Sequence, residues 1–249
     1  MAHHLAALTP LARRPIARCP FKPLNESIPD AWPPEVPAEP SGGPVVPLFP
    51  LSNVWLFPGA VTPLHIFEPR YRQMIEDSLD QSGRIVIGTV MEGREVDLPN
   101  TPPVYPIAGL GEIGRHERLP DGRFLILLIG LARVRIREVQ SDRPYRRVEV
   151  LPLEECGVAA ERTDDLRRRL MEAVLERTDE LLNLPEEMPI PALTDLLMLR
   201  MPLPHRVVRR IYTECDIEER ALLALAEHAQ RPHLEDKKPP RDGPEFPAN

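Results

Sequence analysis

Apolar residues along this chain fall into two regimes of spacing. From Val45 to Leu153 they come in short runs broken by proline, glycine and charge; from about Arg162 to Gln230 they recur every three or four residues. The first spacing predicts β-strands and the second predicts amphipathic helices. The chain is organised around its first apolar stretch, VVPLFPLSNVWLFPGAVTPLHIFEPRYR, from Val45 to Arg72. Val45 to Leu51 and Val54 to Phe57 read as short strands. Pro47 and Pro50 place them at edges or bulges, since proline gives no ladder donor. Pro58 and Gly59 make a turn, and Val61 to Phe67 is the next strand. Glu68 and Pro69 open a helix with one apolar face (Tyr71, Met74, Ile75, Leu79), which Gly83 ends.

Arg84 to Met91 (RIVIGTVM) is a buried strand by its β-branched run, and Glu92 to Pro103 is a loop. Val104 to Glu117 is an interrupted strand carrying Gly109, Gly111 and Gly114. No strand-turn-helix context follows these glycines, so they predict bulges or close packing rather than a nucleotide fingerprint. Leu119 to Gly122 (LPDG) is a hairpin turn. Phe124 to Val139 is the longest strand. Its first half, FLILLIG, is apolar throughout and is expected in the core; its second half, LARVRIREV, alternates with arginine and turns one face to water. Tyr145 to Leu153 alternates likewise. Strands joined by short turns, without regular crossover helices, predict an antiparallel sheet curled into a barrel.

In the helical part, Leu166, Leu170, Val174, Leu181 and Leu184 share one face of a long helix. Residues 185–191 link it to two short helices, Leu193 to Met201 and Arg206 to Tyr212, separated by Pro202 and Pro204. Asp216 and Glu219 form a capping-box start for a last helix reaching about Gln230. The expected fold class is α+β: a barrel over residues 45–157, then a C-terminal helical bundle over 158–231. Residues 1–44 and 232–249 are proline-rich, with too little apolar surface to offset chain entropy, and are expected to be disordered tails.

Composition narrows the chemistry. The formal net charge is −7 over 249 residues, which weighs against a duplex nucleic-acid binder. Arg167 to Arg169 and Arg209 to Arg210 are basic clusters, read as solvated helix faces. The only lysines are Lys22, Lys237 and Lys238, so the span from Val45 to Arg231 has none. That span therefore has no Schiff-base lysine, Ser-Lys dyad or P-loop lysine. Cys19, Cys156 and Cys215 are few and far apart, which fits a reducing compartment without a disulfide framework. No zinc-ligand spacing and no membrane-spanning apolar run occurs, so no metal, cofactor or membrane association is expected. A cytoplasmic location is expected. The acid-free stretch before Glu26, with Arg13, Arg14 and Arg18, would be an organelle transit peptide in a eukaryote.

The stretch VPLFPLSNVWLFPGAVTPLHIFEPRYRQMI resembles the start of the Lon protease N-terminal substrate-binding domain, especially its free-standing bacterial form. Four further pieces agree in order: RIVIGTV; YPIAGLGEIGRHERLPDGRFLILLIGLARVRI; VEVLP; and LTDLLMLRMPLPHRVVRRIYTECDIEERALLALAEH. The resemblance covers roughly Val45 to Arg231. It implies a PUA-like β-barrel followed by helices, and a role in recognising unfolded or degradation-marked polypeptide segments, with a protease or chaperone as further partner. Similar barrels occur in cereblon, a ubiquitin-ligase substrate receptor, whose zinc-binding domain has no counterpart here. The ATPase and Ser-Lys protease modules of full-length Lon have no counterpart either: GxxxxGK[ST] is absent. A non-enzymatic adaptor or chaperone-like binding module is expected. The alternative is an RNA-binding module using the PUA-like barrel, against which the acidic balance, the missing lysines and the 5% aromatic content weigh.

For peptide binding, the candidate contacts are Trp55, Phe57, His65, Phe67 and Tyr71, because unfolded segments are held by apolar grooves or by strand addition. Phe57 and Phe67 sit in apolar runs and are expected in the core. For Trp55, His65 and Tyr71, core and contact stay equally open. His65 with Glu68, and His116 with Glu117, have no nucleophile in a motif beside them, so no catalytic residue is expected.

Overall fold

A computed structural model describes residues 42–93, 101–151, 153–178 and 184–231. In chain order the elements are β1 (Val45–Leu51), β2 (Val61–Ile66), α1 (Pro69–Leu79), β3 (Arg84–Thr89), β4 (Ile107–Arg118), β5 (Phe124–Val139), β6 (Arg146–Leu151), α2 (Ala160–Leu175), α3 (Ile190–Leu199), α4 (His205–Tyr212) and α5 (Ile217–Ala229). Residues 1–41 and 232–249 of the tails expected to be disordered, and Leu181 of the long helix, lie outside the described residues; Gly43 and Pro44, placed in the first tail, are hydrogen-bonded to Glu149 and Val150 of β6 at 2.7 and 2.9 Å.

The strand order is β2-β5-β4-β3-β1-β6, and β5 also pairs with β6. Five strands thus close a ring, with β2 attached outside it. The length of β5 allows this: residues 124–129 pair with β2, and residues 135–139 pair with β6. On its other side β5 follows β4, whose register shifts at Leu110/Gly111 and again between Ile113 and Arg115, the glycine bulges expected there.

The sheet is mixed, which corrects the antiparallel expectation: β1 and β3 are parallel from Leu48↔Val86 to Leu51↔Thr89. The chain between them runs through β2 and α1, long enough for a crossover. Nor is β1 at an edge. It pairs with β6 through Val45–Leu48 and with β3 through Leu48–Leu51, so each half has one free side, and Pro47 and Pro50 are tolerated there. Val54 to Phe57 is not a strand. It crosses from the ring to the helices, with Leu56 in the ring cluster beside Ile85 and Leu128, and Phe57 in the helical cluster. Gly109 leaves the room this crossing needs: a Cβ there would stand 2.6 Å from the Leu56 carbonyl oxygen.

The largest revision concerns β5. Residues 124, 126, 128 and 130 are buried, while Leu125, Leu127, Ile129 and Leu131 are 37–42% exposed. A continuous apolar run does not distinguish a strand buried on both faces from one whose outer face is apolar and solvated.

Helices α2 to α5 pack around one apolar cluster containing Leu166, Leu170, Val174, Leu193, Leu197, Ile211 and Ala224, which also takes in Phe57 and Ile107 from the ring side. α5 starts at Asp216, whose side chain accepts the Glu219 N–H (3.0 Å). The return bond of the capping box is absent, because the Asp216 N–H goes to Glu214 at 2.9 Å instead. Polar contacts cross between ring and helices. The Tyr212 hydroxyl donates to the Leu56 carbonyl at 2.7 Å. Arg133 donates to the Tyr212 carbonyl at 3.2 Å and shares the Glu155 carboxylate with Arg220, at 2.5 and 2.6 Å. Burial raises the Tyr212 phenol, lowers the Arg133 guanidinium, and raises the Asp195 carboxyl beside them against the pull of Arg133 and then Arg220. Among the described residues no helix is long and apolar enough to cross a membrane.

Candidate functional site

The register Val61↔Ile129, Pro63↔Leu127, His65↔Leu125 puts the odd residues of β2 and β5 on one face. That face looks outward. Val61 is 57% exposed and Phe67, just past β2, 58%. With Leu125, Leu127, Ile129 and Leu131 they form an exposed apolar surface rather than singly scattered hydrophobics.

Two depressions adjoin this face, and a third continues from them. One of about 400 Å³ lies on it, lined by Pro63, Leu64, His65, Arg115, Glu117, Leu125, Ile126 and Leu127. It shares Leu64 and His65 with a groove of about 290 Å³ between β2 and the end of β1, where Phe49, Pro50, Leu51, Phe67 and Tyr71 also contribute. That groove shares Pro50, Arg70 and Tyr71 with a third, of about 530 Å³, bounded by Glu138, Tyr145 and Arg146. Together they make one trough around the start of α1.

The charges along the trough compensate one another. Arg70 pairs with Glu68 at 2.9 Å and lies over the Tyr71 ring, 4.5 Å from its centroid. Arg146 pairs with Glu138 at 2.6 Å, and Arg143 with Asp77 at 3.3 Å. The Tyr145 hydroxyl donates to Asp77 at 2.6 Å. Burial, and then this bond, pushes the Tyr145 phenol up to about 12, and the same bond holds the Asp77 carboxyl below its usual range. Burial raises the Tyr71 phenol. All three groups move away from neutral pH, so none is poised for proton transfer there. Such a trough suits an uncharged, apolar chain rather than an anion.

The structure separates the five predicted contacts. His65 and Phe67 are exposed, their rings 5.9 Å apart. Tyr71 is buried against Phe49 (4.5 Å) and floors the groove that His65 and Phe67 line. Phe67 was expected in the core; it stands outside because it follows the last β2 pair and precedes the α1 N-cap. Trp55 and Phe57 line none of the three depressions. Phe57 is buried edge-on to Tyr212 at 5.1 Å, and Trp55 is half-buried among Tyr105, His205 and Tyr212 at 4.8–5.5 Å. The sequence reading missed Val61, Leu125, Leu127, Ile129 and Leu131. One signal was available: Pro63 marks β2 as an edge strand, so the strand beside it need not be covered on both faces.

Elsewhere, Arg167, Arg168 and Arg169 pair along α2 with Asp164, Asp165 and Glu172 at 2.6–3.9 Å, so this basic cluster is locally neutralised. Among the described residues no three His, Cys, Asp or Glu side chains converge as metal ligands would.

A family model described as the ATP-dependent protease La (LON) substrate-binding domain matches residues 45–229. Lon protease 2 of Sorangium cellulosum is 28% identical over 193 residues, which is 73% of this chain and 24% of that protein. The Lon protease of Dictyoglomus thermophilum is 27% identical over 184 residues, 71% of this chain and 23% of that protein. The chain thus spans about a quarter of the length of these curated relatives. The solved N terminal domain of Mycobacterium avium complex Lon protease superposes with a TM-score of 0.58 at 19% identity, covering 75% of this chain and 98% of that one. The Lon N-terminal domain protein from Xanthomonas campestris superposes with a TM-score of 0.54 at 21% identity, covering 74% and 98%. At these identities the solved structures speak to the fold alone.

Proposed function

The chain belongs to the Lon substrate-binding domain family, and from this premise we propose that it is a non-enzymatic module that binds extended, apolar polypeptide segments. The observation that carries the reading is the exposed β2/β5 face, with its apolar side chains beside a trough in which Glu68 pairs with Arg70 and Glu138 with Arg146. Unfolded and degradation-marked proteins expose such segments, and folded ones bury them. The module acts as an adaptor or chaperone-like factor that hands such clients on in protein quality control. Residues 45–157 form the ring subdomain that carries the site, and residues 158–231 form a helical subdomain. His65, Phe67 and Tyr71, with Leu125, Leu127 and Ile129, are its contacts; Trp55 and Phe57 serve the joint between the subdomains. The neutralised arginines of α2 weigh against the RNA-binding alternative.

The test is fluorescence anisotropy of a labelled, permanently unfolded polypeptide titrated with the chain, alongside the same polypeptide in its native fold and a single-stranded RNA. Binding to the unfolded form alone is expected. Leu125 and Leu127 are each about 40% exposed, so covering them is worth about 0.8 kcal/mol apiece. The double variant Leu125→Ser, Leu127→Ser is therefore expected to weaken binding about tenfold with unchanged urea stability. RNA bound more tightly than unfolded polypeptide, or no loss in the double variant, overturns the reading.

A further inference from the structure

Among the described strands, β2 pairs with β5 alone, so its other side is an unpaired edge. The phase of the β2–β5 ladder shows what that edge presents. Gly130 donates its N–H to the Ala60 carbonyl at 2.8 Å, one residue before β2 begins. Hydrogen-bonded and non-bonded pairs alternate in an antiparallel ladder. The bonded pairs are therefore Thr62 with Leu128, Leu64 with Ile126 and Ile66 with Phe124, and the backbone groups of Val61, Pro63 and His65 turn to the free side. Pro63 sits where its missing N–H breaks no ladder bond. The edge offers two donors, from Val61 and His65, and three acceptors, the carbonyls of Val61, Pro63 and His65. It borders the groove of about 290 Å³, whose far wall is Phe49, Pro50 and Leu51 of β1.

We infer that an extended, uncharged, apolar polypeptide segment docks by strand addition: it pairs with the free edge of β2 as a further strand and lays alternate side chains along the outer face of Val61, Leu127 and Ile129. This rests on the polypeptide-binding reading above and specifies how the segment is held. Main-chain bonds then supply affinity without regard to sequence, and every second side chain supplies a preference for apolar residues. Charge agrees with such an occupant. Glu68 and Arg70 pair with each other at the groove, and Arg115 and Glu117 on the adjoining depression are of opposite sign, so no net field selects a charged segment.

A second copy of the chain fits less well. The exposed apolar side chains of the face amount to an area on the order of 500 Å², the size of the largest patch on an ordinary monomer, and short of the roughly 800 Å² each partner gives to a stable complex. A symmetric β2–β2 pair in full overlap would also set Pro63 opposite Pro63, with no donor from either. The proline therefore discourages self-pairing, as edge strands commonly require, while leaving an acceptor for a client's N–H.

The test uses the full chain and a labelled ten-residue peptide alternating valine and serine, with two derivatives N-methylated at every second residue in opposite phases. The valine pattern, in a given strand direction, fixes which side of the peptide faces β2, so strand addition in one direction predicts that one methylation phase loses at least tenfold in affinity and the other binds like the parent. Pro63→Ala adds a third donor to the edge and is expected to tighten the parent peptide about two- to tenfold. Equal binding of both methylated peptides overturns strand addition and leaves polypeptide binding standing through side chains alone. A concentration-dependent dimer in sedimentation that the peptide dissociates overturns it in favour of a second copy. No binding of the parent peptide by a chain that does bind unfolded polypeptide also overturns it, whereas binding of neither shows that the functional reading itself has failed.

Discussion

Gly130 is the residue whose replacement the structure judges most severely. A Cβ added there would stand 2.0 Å from the Phe57 carbonyl oxygen and 2.9 Å from its carbon. Both atoms are backbone, so no side-chain rotation relieves the clash. Ordinary contact begins near 3.4 Å, and the turn must retreat by roughly 1.4 Å to reach it. The turn is held where it is by Gly59 N–H to Gly130 O and Gly130 N–H to Ala60 O, both 2.8 Å. A retreat of that size breaks both. Two such bonds are worth about 1 kcal/mol each, and the residual overpacking adds about 1–3 kcal/mol. Gly130→Ala is thus expected to cost about 3–5 kcal/mol, a large share of a stability on the order of 5–15 kcal/mol. Urea unfolding followed by far-ultraviolet circular dichroism measures it. Gly157→Ala is the matched control, because no atom lies within 4 Å of a Cβ there, and it is expected to leave stability unchanged or slightly raised. A Gly130→Ala midpoint equivalent to less than about 1 kcal/mol of loss, or an equal loss in the control, refutes the argument that the turn is pinned against β5.

Two further outcomes follow from the joint between ring and helices. Tyr212→Phe removes the donor to the Leu56 carbonyl, leaves that buried acceptor unsatisfied and is expected to cost about 1–3 kcal/mol in the same urea assay; a change near zero would mean that the bond does not tie α4 to the crossing segment. Burial raises the Asp195 carboxyl above its unfolded value of about 3.9, so its contribution is fully present below that value and is lost as pH rises through the folded value. Asp195→Asn cannot titrate and is therefore expected to gain stability relative to the native chain as pH rises through that window, read from urea midpoints between about pH 4 and 7; a difference that is flat with pH refutes it.

Much of the fold was legible because local pattern and tertiary environment agree. The helical spacing of Leu166, Leu170 and Val174, and the LPDG turn, where Gly122 takes φ +81° and donates to Leu119 at 2.8 Å, are set within a few residues of sequence; the alternation expected in β6 is not, because Glu149 between Val148 and Val150 is buried on Arg137 and the Gly43 N–H. The errors came where long-range pairing decides. Nothing near Pro47 tells that β1 changes partner at Leu48, and nothing in Val54–Phe57 tells a short apolar strand from a segment that crosses between two cores. Of the residues that line the groove, the sequence named His65, Phe67 and Tyr71 as candidates because they lie in the organising stretch, but it placed Phe67 in the core. It withheld the outer face, because which side of β5 is covered depends on elements remote in sequence.

That last failure bears on function. Most strands with an outer face in water show polar residues there, since an apolar edge region invites aggregation. Here Leu125, Leu127, Ile129 and Leu131 occupy every outer position of the first half of β5, while ring closure onto β6 uses residues 135–139 of its second half. Ring closure therefore places no demand on those four side chains, and the interior they turn away from is already filled by Phe124, Ile126 and Leu128. About two-fifths of each of these side chains is left uncovered in the isolated fold. On the proposed reading something apolar covers the rest, and the strand that would guide such a cover into register, β2, pairs on one side only among the described strands. The run that misled the strand assignment and the surface proposed for binding are the same residues for the same physical reason: their apolar side chains stay partly uncovered in the isolated chain.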